Sequence, residues 1–205
     1  MTSSPAQDSQ LSFLIDLAVG RLTSTSVPVE SAAPHVPPVA GLYAIHATSA
    51  VWEEVGISHP GAVPLYVGKA ESSLVARDLM DHFALDPSRP ARTGQSTLRR
   101  SFAALLRQRL DLRAVPRNPA RPGHFSNFGL TVDGESRLSA WMRSRLSIAV
   151  WTMPSETQVP LRSVEKGVLW ELAPPLNLTG VPVVDRELKQ KRALMAAEAR
   201  SWRAP

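Results

Sequence analysis

The chain has 205 residues, a hydrophobic fraction of 43% and a formal net charge of +5. A chain of this length and composition buries a core of its own, so we expect one soluble main domain with short additions. The sequence contains no cysteine, which excludes a disulfide-stapled scaffold, a thiolate zinc site and a cysteine nucleophile. Apolar runs stay well short of the roughly 20 residues that span a bilayer. The first residues also lack the pattern of a secretory signal, so we expect a cytoplasmic protein without a membrane partner.

Three regions follow one another along the chain. Residues 1–38 are predicted to hold a polar tail, a short amphipathic helix over 11–22 and a proline-rich linker. Residues 39–180 form the predicted main domain, and residues 181–205 a charged C-terminal helix. We found no internal repeat.

Three short β-like runs, GLYAIHA, PLYVGKA and SIAVWTM, predict strands near residues 41–46, 64–69 and 147–153. The first two are predicted to form an antiparallel hairpin with a long loop. The apolar periodicity predicts helices at about residues 72–83, 96–110, 135–146, 161–172 and 185–202. Because the strands do not alternate regularly with helices, we expect an α+β fold, a small three-stranded antiparallel sheet flanked by helices.

Positive charge is concentrated within a predicted insert at about residues 85–146. Between Arg89 and Arg121, nine arginines face one acidic residue, Asp111, so this stretch carries +8 and the rest of the chain −3. Such a block predicts a surface that faces a polyanion; a solvated arginine-rich face is the alternative. The candidates for phosphate contacts are Arg99, Arg100 and Arg107 on the helix and Arg113, Arg117 and Arg121 in the loop behind it.

Both tyrosines of the chain lie on the predicted hairpin. They occur in the mirrored contexts Gly41-Leu42-Tyr43 and Tyr66-Val67-Gly68. A tyrosine on a strand is ordinarily a half-buried packing residue, but this repetition indicates a shared site. Gly68 allows close approach of another group, and Lys69 follows directly.

Two further pairs of polar residues follow. Arg77 and His82 lie five positions apart on the next predicted helix. On an ideal α-helix they would project roughly 140° apart, so either this helix is irregular near its end or only one of them enters the site. Glu165 lies in the first turn of a later helix, where an acid also suits the helix dipole. Asn177 follows it in Pro-Pro-Leu-Asn.

In this order, the motifs resemble those of the GIY-YIG nuclease family. Residues 41–43 resemble its first motif and residues 66–69 its second. Arg77 matches the family's phosphate-contacting arginine, Glu165 its metal-binding glutamate and Asn177 its terminal asparagine.

The resemblance covers about residues 40–178, and the chain departs from the family at several points. The first motif reads GLY, the stretch from Lys69 to Arg77 is about one residue longer than typical, and residues 85–146 contain an enlarged insert. The 22 residues between Tyr43 and Tyr66 exceed the usual hairpin loop. His82 falls one position later than the common spacing after the arginine.

The resemblance implies a metal-dependent endonuclease that hydrolyses phosphodiester bonds in DNA. Glu165 would be the carboxylate that holds one divalent ion, Mg²⁺ in the first instance and Mn²⁺ as the alternative. Arg77 would brace the phosphate through its planar guanidinium. We expect Asn177 to contact the nucleic acid.

Water would be the nucleophile, and its base is the open point of the chemistry. The resemblance favours Tyr43 as the base or as the group that orients the water, with Tyr66 as a positioning group. A phenol is a poor base unless cations favour its ionised form. Lys69 or His82 would assist.

Two other functions fit the same sequence. The first is a non-catalytic nucleic-acid-binding module on the same fold. The second is a small protein-interaction domain in which the C-terminal helix docks a partner through Trp202, although Trp202 packing back on the core is the simpler interpretation.

Overall fold

The computed structural model describes residues 5–58, 63–83 and 92–203. Its strands are β1 (Val27–Pro28), β2 (Gly41–Ala47), β3 (Tyr66–Ala70), β4 (Ala114–Val115), β5 (Gly129–Leu130) and β6 (Leu146–Thr152). Its α-helices are α1 (Pro5–Ser24), α2 (Ser49–Val55), α3 (Thr97–Leu105), α4 (Val132–Arg145), α5 (Leu161–Leu172) and α6 (Arg186–Ser201). Arg89, the first arginine of the basic block, lies outside the described residues. No helix in these ranges combines the length and the apolar character that a membrane span needs.

A four-stranded antiparallel sheet in the order β1-β6-β2-β3 organises the fold. The α+β class is confirmed, and the hairpin that carries the two tyrosines is present, with α2 inside its loop. The sheet has one strand more than the three we expected. The extra strand is a two-residue stretch of the predicted linker, which pairs with Ser147 and Ile148 at the sheet edge. Proline is tolerated at such an edge because no neighbour needs its missing N–H.

Alternation along the central strand β2 divides the interior into two clusters. Leu42 and Ala44 face one way and pack with α1 and α5. Tyr43 and Ile45 face the other way, toward a cluster that includes Phe102 of α3. Since successive side chains of a strand point to opposite faces, β2 is buried on both sides.

A π-helix, Val75–His82, follows β3 in place of the α-helix expected over 72–83. Its hydrogen bonds join residues i and i+5, so residues five apart lie one above the other. The spacing of Arg77 and His82 left open an irregular helix or a site that only one of them enters. The structure has the irregular helix.

The C-terminal helix α6 packs on α3. Leu188, Met195 and Ala199 of α6 are buried in the same cluster as Phe102. Asp185 caps the helix by accepting a hydrogen bond from the Leu188 N–H.

Arg99 is a buried cation that joins three segments of the fold. Its side chain is 0% exposed and forms an ion pair with Glu135 of α4, with 2.8 Å between Nη2 and Oε2. Its Nη1 donates to the carbonyl of His82, at the end of the π-helix, over 2.8 Å. Glu135 also accepts from the N–H and the hydroxyl of Thr93. A guanidinium so enclosed has no access to a nucleic-acid phosphate, so Arg99 belongs to the core and not to the surface on which we expected it.

Replacing Arg99 with methionine removes one member of this buried pair and leaves the Glu135 carboxylate without its counter-ion. Breaking a buried pair in this way costs about 3–5 kcal/mol, so we expect the free energy of unfolding of Arg99→Met to fall by that amount. Urea denaturation measures it. The control is Arg113→Met, which loses only an exposed ion pair with Asp111 and should change stability by about 0–1 kcal/mol. Equal losses in the two variants would contradict the structural role of Arg99.

Candidate active site

A cleft of about 420 Å³ opens beside β3, one of the two edge strands of the sheet. It lies between the end of β3, the π-helix and α5. The polar side chains that line it include Tyr43, Tyr66, Lys69, Glu71, Arg77, Asp81 and Glu165. The structure therefore brings together five of the six residues predicted to be catalytic, and the sixth, His82, lies directly behind Tyr43.

The ring of Tyr43 lies over Gly68, its partner in the β2–β3 register. A Cβ at position 68 would collide with the phenol oxygen and with the ring of Tyr43. The Tyr66 ring lies alongside, with 6.1 Å between the two ring centroids. Gly68 thus gives Tyr43 room to reach across the neighbouring strand toward the cleft.

A buried chain of hydrogen bonds leads from Tyr43 into the core. The Tyr43 hydroxyl lies 2.6 Å from Nε2 of His82, and Nδ1 of His82 lies 2.7 Å from the hydroxyl of Ser96. Ser96 is the N-cap of α3 and accepts the N–H of Arg99. The ring of His82 is thereby held at both nitrogens.

Burial and nearby positive charge keep His82 neutral. Full burial, followed by the nearby cations Arg77 and Arg99, holds the pKa of His82 well below its usual range. Burial alone would lower the pKa of Arg77, yet the neighbouring Tyr43, Tyr66 and Asp81 outweigh it and raise that pKa. The guanidinium of Arg77 also donates a hydrogen bond to Tyr43.

Lys69 and Glu165 face each other across the cleft. The Lys69 ammonium lies 3.0 Å from a Glu165 carboxylate oxygen and 3.1 Å from one of Glu71. Partial burial opposes its charge, but hydrogen bonds to Glu165 and Glu71 prevail and raise the pKa of Lys69. Lys69 therefore keeps its proton at neutral pH and is not a base.

The donor set suits one hard divalent cation held largely by water. Glu165 is partly exposed and lines the cleft, and Mg²⁺ commonly binds through one or two carboxylates and several waters. In the described part of the chain, no cluster of three or more His, Cys, Asp or Glu residues forms a protein cage for a metal. The residues thus fit an ion held by a single carboxylate, with Lys69 as the cation that occupies the carboxylate otherwise.

Asn177 stabilises the outer edge of β3. Its side-chain oxygen accepts the Val67 N–H over 2.9 Å, and its NH₂ group donates to the Val67 carbonyl over 2.7 Å. The amide replaces the neighbouring strand that an edge residue lacks. Asn177 is 8% exposed, so its position is that of a strand clamp and not of the nucleic-acid contact we expected.

The remaining arginines of the basic block differ in their surroundings. Arg107 forms an ion pair with Glu198 of α6 at 3.0 Å. Arg113, Arg117 and Arg121 are exposed in the loop after α3. Arg100 is 7% exposed and donates to the carbonyl of Gly94 and to the hydroxyl of Thr97.

Sequence reasoning missed Ser96, whose hydroxyl holds the ring of His82. The sequence indicates this serine only as the start of a helix, where serine is a common cap.

Comparison with known proteins identifies one match. The family model described as the GIY-YIG catalytic domain matches residues 46–198. No curated protein and no solved structure matches the chain significantly.

The burial of His82 predicts how stability depends on pH. In the unfolded chain His82 takes up a proton near pH 6.5, whereas in the folded chain it stays neutral to lower pH. Its contribution is therefore fully present above about pH 6.5 and is lost as the pH falls, at up to about 1.4 kcal/mol per pH unit. His46, whose pKa burial also lowers, adds a loss of the same sign.

We expect His82→Gln to remove its share of this loss, which urea denaturation between pH 5 and 7.5 would measure. The exposed His35, replaced in His35→Gln, is the matched control and should leave the pH dependence as it is. A slope in His82→Gln equal to that of the unaltered protein would show that His82 takes up a proton in the folded state.

Proposed function

Because the chain belongs to the GIY-YIG catalytic-domain family, whose model matches about three quarters of it, we propose that it is an endonuclease that hydrolyses phosphodiester bonds in DNA with one divalent metal ion. The family membership implies nuclease activity in general, acting on nucleic acid; such nucleases generally use a divalent ion. The observation that carries the proposal for this chain is that Tyr43 lines the cleft while its hydroxyl hydrogen-bonds a neutral, buried histidine.

Tyr43 orients the attacking water and takes its proton. We assign the proton of neutral His82 to Nδ1, which donates to Ser96, so that Nε2 accepts the Tyr43 hydroxyl proton. With its own proton directed at Nε2, the Tyr43 oxygen acts as an acceptor for the attacking water. As the water attacks phosphorus, its proton passes to the Tyr43 oxygen while the original phenol proton moves to Nε2. Burial beside two arginines makes the charged imidazole costly, so after the step His82 returns this proton to the Tyr43 oxygen, which releases the proton taken from the water to solvent in the cleft.

Arg77 binds the phosphate whose bond is broken. Its guanidinium lines the cleft beside Tyr43, and its fork suits two phosphate oxygens. Asp81 holds it only loosely, at 3.7 Å. A fixed cation there stabilises the charge that develops on the phosphate oxygens in the transition state.

Glu165 and Lys69 serve the leaving side. Glu165 would hold the divalent ion, which when bound stabilises negative charge on the departing oxygen. Lys69 keeps its proton and supplies a second positive charge in the same part of the cleft. The exposed Arg113, Arg117 and Arg121 are the candidates for contacts along the DNA backbone, contacts that carry no sequence information.

Glu165→Ala tests the metal assignment. Loss of the ion removes several kcal/mol of transition-state stabilisation, so we expect plasmid cleavage with Mg²⁺ or Mn²⁺ to fall at least about 100-fold, with DNA binding retained. Glu171→Ala, an exposed substitution on the same helix, is the control and should cleave normally. Cleavage by Glu165→Ala near the unaltered rate would reject the assignment. Binding without cleavage by the unaltered protein would favour the non-catalytic module.

Tyr43→Phe removes the hydroxyl while keeping the ring over Gly68. A positioned general base contributes typically 10²–10⁴-fold, so we expect the single-turnover rate to fall by that order. Tyr66→Phe keeps the Tyr43–His82 hydrogen bond and should lose less. If Tyr43→Phe retains the full rate while His82→Ala loses it, Tyr43 is not the base.

A further inference from the structure

We propose that Arg100, Arg192 and Tyr66 form a second phosphate-binding site, which takes a backbone phosphate of the bound nucleic acid beside the one held at Arg77. The inference rests on the proposed function only in taking a nucleic acid as the ligand; it does not depend on the chemistry of cleavage.

Arg100 is the buried half of this site. Two of its guanidinium nitrogens donate to neutral acceptors, the Gly94 carbonyl at 3.0 Å and the Thr97 hydroxyl at 3.1 Å. Its Nε is buried and has no hydrogen-bond partner among the described residues. A buried donor left in this state costs about 1–3 kcal/mol, and more for a charged group. A ligand that accepts this hydrogen bond would recover that free energy.

Arg192 approaches from the C-terminal helix. It stands four residues after Leu188 and three before Met195, both fully buried, so it lies on the face of α6 that packs on α3. Arg192 lies within electrostatic range of Tyr66 and of Arg100, whose pKa it lowers. Because Arg192 is partly exposed, the pair reaches the protein surface.

A third cation adjoins the pair. The side chain of Arg117 packs directly over Gly94, so close that a Cβ on this glycine would lie 2.7 Å from its Cγ. The carbonyl of that same glycine accepts from Arg100. Arg117 is exposed and can extend the contact along a bound strand.

Among the described residues, no carboxylate forms an ion pair with Arg100, Arg117 or Arg192. Burial first, and then the nearby Arg192, Arg117 and Arg77, lower the pKa of Arg100 to about 10 against the opposing effect of Tyr66. By contrast, Arg99 forms an ion pair with Glu135 and Arg107 one with Glu198. Cations gathered without an acid repel one another, and a bound phosphate would relieve that repulsion.

Tyr66 connects this site with the cleft. It lines the cleft and lies within electrostatic range of Arg77, of Arg100 and of Arg192. A strand whose phosphate sits at Arg77 would therefore pass Tyr66 and place a neighbouring phosphate between Arg100 and Arg192. A backbone phosphate fits this arrangement better than a free one. Because Tyr66 lies near both Arg77 and the Arg100–Arg192 pair, one strand can place a phosphate at each.

Arg192→Gln tests the site, and Arg186→Gln on the exposed start of the same helix is the matched control. Binding of a fluorescein-labelled DNA duplex is followed by anisotropy in EDTA across a series of NaCl concentrations. Each lost phosphate contact reduces the slope of log K against log salt by about 0.9. We expect that reduction in Arg192→Gln, none in Arg186→Gln, and a slope near the unaltered one in Arg192→Lys, which keeps the charge. An unreduced slope in Arg192→Gln, or an unaltered protein that does not bind the duplex, would overturn the proposal.

Circular dichroism establishes that each variant is folded, and should Arg192→Gln not fold, Arg117→Gln takes its place, with the same reduction expected and an unreduced slope again overturning the proposal. Sodium phosphate, compared with NaCl at equal ionic strength, separates the two sources of phosphate. If it raises the melting temperature only when Arg192 is present while the DNA slope is the same in both proteins, the site takes free phosphate and the backbone assignment fails. The expected slopes in a protein that does not cleave DNA with Mg²⁺ or Mn²⁺ would support this site and reject the proposed activity. DNA cleavage together with equal slopes in Arg192→Gln and the unaltered protein would support the proposed activity and reject this site.

Discussion

The hydrogen bond between the Tyr43 hydroxyl and Nε2 of His82 requires a tyrosine of the central strand to meet a buried histidine 39 positions later. Three features of the fold make this meeting possible. Gly68 leaves the space that the Tyr43 ring occupies. The π-helix turns His82 to the same side as Arg77. Arg99 holds the His82 carbonyl, and Ser96 holds its second ring nitrogen. Much of the surrounding structure is therefore the support of one phenol oxygen at the wall of the cleft.

The basic block owes its charge to arginines in three different states. Arg99 is neutralised by Glu135 in the core and ties the π-helix to α3 and α4. Arg107 is balanced by Glu198 and ties α3 to α6. Arg100 has neither an acid nor a full set of hydrogen bonds among the described residues. Net charge counts these residues alike, but only cations without a carboxylate partner attract a polyanion at full strength. The block is thus partly internal support and, in the proposed function, partly binding surface, to which Arg192 of α6 would add.

Contacts to the edge strand β3 hold one wall of the cleft in place. β3 is an edge strand, and its outer backbone groups would invite pairing with another chain. The Asn177 amide occupies the N–H and the carbonyl of Val67, which keeps the strand that carries Tyr66 and Lys69 in place. Glu165 on α5 then meets Lys69 at a fixed position. The clamp and the carboxylate, twelve residues apart in the sequence, act on the same strand from two sides.

Apolar alternation and periodicity are local properties of the chain, so the sequence alone predicts β2, β3, β6, the tyrosine hairpin and most helices. It also marked Tyr43, Tyr66, Lys69, Arg77 and Glu165, whose motifs recur in a known order. Contacts between distant segments were needed to show that Val27 and Pro28 extend the sheet, that the helix after β3 is a π-helix, that Arg99 and Asn177 are internal, and that Arg192 lies near Arg100. These depend on which partner a polar group finds across long sequence distances. The free energy of burying a charge or an N–H depends on that partner, and local sequence patterns do not identify the partner.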